Sequence, residues 1–260
     1  VIWAIGVSMV ALSLLLWLPR AALAAVAVVI IAGHNLLDGI TATEGTAFHV
    51  VWAILHERSW FDVAGIPVRT SSPVLPWIGI IALGYVLGPW FGASTSTEQR
   101  RRLLVRTGWG MLAAFVALRV INVYGDAPWQ HDGDALTTLM SFFNLTKYPP
   151  SLLFVLFTVG VGLLLLRLYE SAAVARVLAP VINFGAAPMF FYVAHLYVLK
   201  LMYLAAVAMF GTNYGKYYGF DSVGTLWLVA VVLVFVMYLP TRAFARLKAR
   251  RRDITWLRYF

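Results

Sequence analysis

Apolar residues run along this chain in long unbroken stretches that lack a polar face, so their periodicity is that of helices surrounded by hydrocarbon rather than of amphipathic surface helices. Seven such runs stand out: Val1 to Leu18, Ala21 to Leu36, Val74 to Phe91, Leu103 to Tyr124, Ser151 to Leu168, Pro188 to Phe210 and Val223 to Leu239. Each approaches the roughly 20 residues needed to cross about 30 Å of hydrocarbon. Pro, Gly or charged residues close them. The pattern predicts an all-α fold, a polytopic transmembrane helical bundle of about seven spans over residues 1–240, followed by a basic tail over 241–260. Pro19-Arg20 forms a tight turn between the first two runs. Two long connections, Leu37 to Pro73 and Gly125 to Pro150, hold most of the polar residues. Within the first, Ala47 to Leu55 is too short to span and is expected as an interfacial or re-entrant helix.

Composition excludes a water-soluble domain. Hydrophobic residues make up 62% of the chain and charged residues 12%, and mean hydropathy is +0.82, far from ordinary soluble usage. The sequence has no cysteine, which removes disulfides, thiolate metal sites and cysteine nucleophiles together. Charge then sets the sidedness. One alternating set of loops holds Arg20, Arg100, Arg106, Arg167, Arg176 and the tail from Arg242, among other basic residues, against only Glu98, Glu170 and Asp253. Short basic loops stay in the cytoplasm, which predicts a multi-pass protein of the bacterial inner membrane with a cytoplasmic C-terminus and an outer start to the first span. The basic tail is expected to face the anionic lipid bilayer, and no nucleic-acid partner is expected, since no aromatic stacking platform accompanies the charge. Trp77, Trp90, Trp109, Tyr124 and Trp227 lie near run ends, as an interfacial aromatic belt requires. The chain starts on Val1 already inside an apolar run, so an internal or C-terminal portion of a longer protein is expected.

Ionisable groups at membrane depth are costly and mark function or pairing. His195 and Lys200 lie in the sixth run, about 140° apart around a helix; Lys200 can snorkel, whereas His195 is too short to do so. His195 is either a catalytic or ligand-binding group or a hydrogen-bonded structural one. Arg119, Asn122 and Asp126 form a polar stripe at the end of the fourth run, for which an Arg119–Asp126 structural pair is the favoured explanation. His34 and Asp38 stand at i, i+4, where a carboxylate can orient an imidazole as general base; helix capping by Asn35 or Asp38 is the alternative. His49 and His56 at i, i+7, beside Glu57, lack a third ligand at a known spacing, so no metal is expected. His131-Asp132-Gly133-Asp134 is expected as a solvated loop rather than a calcium site.

Several strings together carry a resemblance: Ala32-Gly33-His34-Asn35-Leu36-Leu37-Asp38-Gly39, Leu75-Pro76-Trp77-Ile78-Gly79, Leu118 to Asp126, Thr146-Lys147-Tyr148-Pro149-Pro150-Ser151-Leu152-Leu153-Phe154, and Phe190 to His195. In this order and spacing the chain resembles the bacterial membrane proteins grouped with the catalytic domain of heparan-α-glucosaminide N-acetyltransferase. The resemblance implies an acetyl-CoA-dependent N- or O-acetyltransferase: acetyl-CoA is the cytoplasmic cosubstrate and an amino sugar or other cell-envelope glycan the outer acceptor. It makes Arg119, Lys147 and His195 pocket-lining candidates. Taken with the chemistry above, His34, Asp38 and His195 are the catalytic candidates, and Arg119, Asn122, Lys147, Tyr148 and Lys200 the substrate or cofactor candidates. The family's pattern has a further histidine-bearing segment on its first spans that is not among these residues. A transporter or flippase of saccharide or lipid-linked substrate, and a non-enzymatic membrane protein, are the rival functions; a homodimer is left open.

Overall fold

A computed structural model describes residues 2–131 and 133–259. It is 69% helix and 5% strand. The chain divides into two compact units, one running to Tyr169 and the other starting at Glu170.

In the first unit, α1 (Ile2–Leu15) and α2 (Arg20–Gly33) lie against α4 (Leu75–Leu87), and α5 (Thr97–Ile121) lies along α7 (Leu152–Tyr169). Between α2 and α4 come the short α3 (Ala47–Leu55) and the strands β1 (Trp60–Val63) and β2 (Ile66–Arg69); α6 (Ala135–Phe142) precedes α7. Leu23, Ala27 and Ala82 form one buried cluster between α2 and α4, and Ile31, Leu152 and Val155 form another where α2 meets α7. Helices surrounded by hydrocarbon pack through small residues, and α5 and α7 show this directly. A Cβ on Gly108 would lie 2.9 Å from the Leu164 side chain and 3.1 Å from the Gly160 carbonyl oxygen, and one on Gly160 would lie 3.2 Å from the Gly108 carbonyl oxygen. Gly108→Val is therefore expected to lower the unfolding midpoint in detergent micelles by the equivalent of about 1–3 kcal/mol, the usual cost of overpacking. Gly110→Val, where nothing lies within 4 Å, should leave it unchanged.

In the second unit, the short α8 (Ala172–Val177) and α9 (Ile182–Ala186) precede two long helices, α10 (Pro188–Phe210) and α11 (Val223–Arg250). α11 buries Leu233, Met237, Thr241 and Ala245, a stripe of every fourth residue. Phe190 stacks on Phe244 at 4.4 Å, and the Lys248 ammonium donates to the Ala186 carbonyl at 3.2 Å. The helix continues through Pro240 to Arg250, so the basic segment starting at residue 241 begins as helix.

Among the described residues, five helices are long and apolar enough to cross a membrane: Arg20–Leu37 with its terminal turn, Thr97–Ile121, Leu152–Tyr169, Pro188–Phe210 and Val223–Arg250. The other two expected spans are shorter apolar helices, Ile2–Leu15 and Leu75–Phe91. The first stops 14 residues in, ahead of Pro19, and rises only about 21 Å at 1.5 Å per residue. The second changes to a 3-10 turn at Gly88-Pro89. The mostly helical fold agrees with the expected helical bundle, to which the β1–β2 hairpin is a small addition. Ala64 and Gly65 both have positive φ, 53° and 83°, the backbone of a tight hairpin turn, and Asp62 Oδ1 accepts from the Gly65 N–H at 2.6 Å.

Candidate functional site

The polar chemistry of the first unit gathers at the end of α2. The α-helix stops at Gly33, and a 3-10 turn, His34–Leu37, carries the chain to Asp38. Asn35 fixes that turn: its amide Nδ2 donates to Asp38 Oδ2 at 2.9 Å, and its Oδ1 accepts from the Leu152 N–H at 2.9 Å, capping the start of α7. The Tyr124 hydroxyl donates to the Ala32 carbonyl. These contacts hold the His34 ring in the interior, 2% exposed.

The partner of Asp38 is His56, not His34. His56 Nε2 lies 3.0 Å from Asp38 Oδ1, and His56 is 4% exposed. The expected i, i+4 pairing fails because the chain changes from α to 3-10 geometry between the two residues, which alters the angle between their side chains. A helix of nine residues, α3, delivers His56 as its C-cap, with the Trp52 carbonyl accepting from both the His56 and Glu57 N–H groups. The Trp52 indole N–H donates to the Ile40 carbonyl at 2.8 Å, and its ring lies 5.1 Å from that of His56. Thr70, at the foot of the hairpin, accepts from the Ser59 N–H and reaches the Glu57 and Ser59 carbonyls. A helix, an indole and a hairpin thus position one imidazole.

Asp38, Ile40, Thr41, His56, Glu57, Arg58 and Pro149 line a pocket of about 180 Å³. Glu57 Oε2 is buried without a hydrogen-bond partner. The Arg58 guanidinium sits 5.7 Å from the Tyr148 ring centroid and the Lys147 ammonium 5.2 Å from the same centroid. Both cations are thus within cation–π range of one aromatic ring. His34 stands behind His56, its ring edge-on at 5.6 Å. His34, Asp38 and His56 each offer one ligand atom, all within 4.8 Å of one another. Their hydrogen-bonded acid and imidazole supply the elements of a general base.

The other expected residues have different surroundings. Arg119 is 1% exposed, and its guanidinium donates to the carbonyls of Phe142, Ala127, Ser141 and Asn144 at 2.8, 2.8, 2.9 and 3.2 Å. Asp126, its expected partner, accepts instead from the N–H and hydroxyl of Thr146 and the hydroxyl of Ser151. The reason is geometric: α5 ends at Ile121, Asn122 takes the left-handed conformation, and the chain turns away before Asp126. Asn122 then exchanges two hydrogen bonds with the Trp129 backbone. Arg119 and Asn122 therefore brace the loop that carries Lys147 and Tyr148. His195 and Lys200 belong to the second unit. The His195 Nδ1–H donates to the Phe191 carbonyl one turn back at 2.9 Å, its ring stacks on Phe191, and Lys200 lies over the Tyr203 ring.

His49 and His56 do not share a partner. His49 Nε2 lies 2.8 Å from the Ser59 hydroxyl. In the loop expected to be solvated, His131 Nδ1 lies 3.1 Å from the Thr138 hydroxyl and Asp134 caps α6; Asp132 lies outside the described residues. His56, Glu57 and Arg58 are the residues that sequence spacing did not bring to the site. Their available signal was three consecutive polar residues closing a short apolar helix. No protein-family model, no curated protein and no solved structure matches this chain.

Proposed function

We propose that this protein is an integral-membrane acetyltransferase that takes its acetyl group from cytoplasmic acetyl-CoA and places it on an amino sugar or another cell-envelope glycan at the outer face. The single observation that carries this proposal is the pairing of the buried His56 with the half-exposed Asp38 in a small pocket that Arg58 also lines, with Lys147 and Arg58 both against the Tyr148 ring. An ionised Asp38 accepts from His56 Nε2–H and leaves Nδ1 as the bare base; that Nδ1 has no hydrogen-bond partner. The acceptor's amine or hydroxyl attacks the acetyl carbonyl carbon and its proton passes to His56. The C–S bond breaks, CoA leaves as the thiolate, and that thiolate takes up the proton. Arg58, Lys147 and Tyr148 bind and orient the acceptor.

In the same proposal α1 and α4 count as spans, giving seven, with the basic loops and the C-terminus in the cytoplasm of a bacterial inner membrane. The basic inner face then attracts the phosphates of CoA, and the two polar connections form the outer mouth. The test is reconstitution of the protein in liposomes with labelled acetyl-CoA on one side and glucosamine or a glucosamine-ended glycan on the other. Label on the acceptor supports the proposal; saccharide uptake without acetyl transfer overturns it in favour of a transporter.

A further inference from the structure

We infer that His34, Asp38 and His56 form a binding site for one divalent transition-metal cation of the zinc type. Buried histidines normally satisfy both ring nitrogens, yet neither ring nitrogen of His34 and not Nδ1 of His56 makes a hydrogen bond of ordinary geometry. Both rings are more than nine-tenths buried. One ligand atom from each of the three residues lies within 4.8 Å of the others, close enough for small rotations to close the set around an ion with bonds of roughly 2.0–2.2 Å. The donors are two imidazoles and one carboxylate, which suit zinc or iron(II) and not the all-oxygen shells of calcium or magnesium.

The surroundings fit as well. Histidine ligands characteristically pass their other N–H to a carbonyl, and ligating carboxylates are themselves hydrogen-bonded. The Pro150 carbonyl lies beside the His34 ring, and Asn35 Nδ2 holds Asp38 Oδ2. Three protein ligands leave a fourth position open, as catalytic zinc sites do. Asp38 and His56 both line the pocket of about 180 Å³, where Glu57 also lies. An ion at this position would bind the hydroxyl or amine of the acceptor and ease its deprotonation; with the ion bound, His56 would serve as a ligand, and Glu57 in its place would receive the proton. The inference uses the site of the proposed acetyltransferase but does not depend on the group transferred.

The test is a zinc chloride titration of the purified protein in micelles after chelator treatment, against a chromophoric competitor, with cobalt(II) substitution on the unaltered protein as a second measurement. One ion per chain is expected, with the visible absorption of a four-coordinate nitrogen–oxygen cobalt site. Asn35→Ala should weaken zinc binding about 10–100-fold, the usual effect of losing a group that orients a ligand. His34→Ala and His56→Ala should weaken it at least as much, and His49→Ala should leave it unchanged. No ion above background, or binding indifferent to His34 and His56, overturns the site. Undiminished acetyl transfer by chelator-stripped, ion-free protein overturns the ion's part in the transfer alone, whereas one tightly bound ion without acetyl transfer overturns the acetyltransferase proposal alone.

Discussion

His56→Ala is expected to reduce acetyl transfer by about 10²–10⁴-fold, the range a positioned general base supplies, while the protein still folds. The argument rests on how His56 is held. Its imidazole is clamped by the Asp38 carboxylate on one edge and the Trp52 indole on one face, so the ring enters the reaction already oriented. Asp38→Asn should produce a comparable loss by a different route. The amide keeps the size of the side chain and can still accept from Asn35, but it no longer fixes the tautomer of His56 or stabilises the imidazolium. The measurement is initial acetyl-transfer rate in liposomes, paired with the unfolding midpoint of each variant in micelles. An unchanged rate for a folded His56→Ala protein would remove the pair from the mechanism. His195→Ala is the informative companion: His195 is tied to its own helix through the Phe191 carbonyl, and a rate loss equal to that of His56→Ala would move the base to α10.

Much of this architecture was legible in the chain, and the reasons differ from element to element. Continuous apolar runs locate the long helices because hydrocarbon leaves the backbone no other way to satisfy its hydrogen bonds. The bounds of α3 were also readable, since Thr46 supplies an N-cap and a polar triplet ends the apolar stretch. What sequence spacing missed is long-range pairing. Asp38 and His56 stand 18 positions apart, and their meeting depends on Trp52 reaching Ile40 and on Thr70 closing the hairpin. The i, i+4 rule assumes a continuing α-helix, and the change to a 3-10 turn at His34 removes that assumption. The same limit explains Arg119. Three residues at helical spacing suggested a polar stripe, but the left-handed Asn122 ends the periodicity before Asp126 is reached.

Arg119→Met is expected to destabilise the first unit by about 3–5 kcal/mol, the scale seen when one partner of a buried charged network is removed. Met fills much of the volume and keeps the apolar stem, so the loss isolates the guanidinium. Without it the carbonyls of Phe142, Ala127 and Asn144 lose the guanidinium donor and that of Ser141 keeps only the Asn144 N–H, around a side chain that is itself 1% exposed, and a carbonyl left unsatisfied where water does not reach it is penalised. Arg119→Lys should recover little. An ammonium has three donors on a single point, and the four acceptors are distributed around a planar fork. The loss is read as the unfolding midpoint in micelles and as new protease cleavage between residues 126 and 150, the segment whose carbonyls Arg119 gathers. Lys147 and Tyr148 stand on that same segment. The variant should therefore also raise the KM for the acceptor while the Asp38–His56 pair stays intact, which separates a residue that positions the binding loop from one that touches the reacting atoms. A stable variant with unchanged KM would show that the loop holds its shape without the arginine.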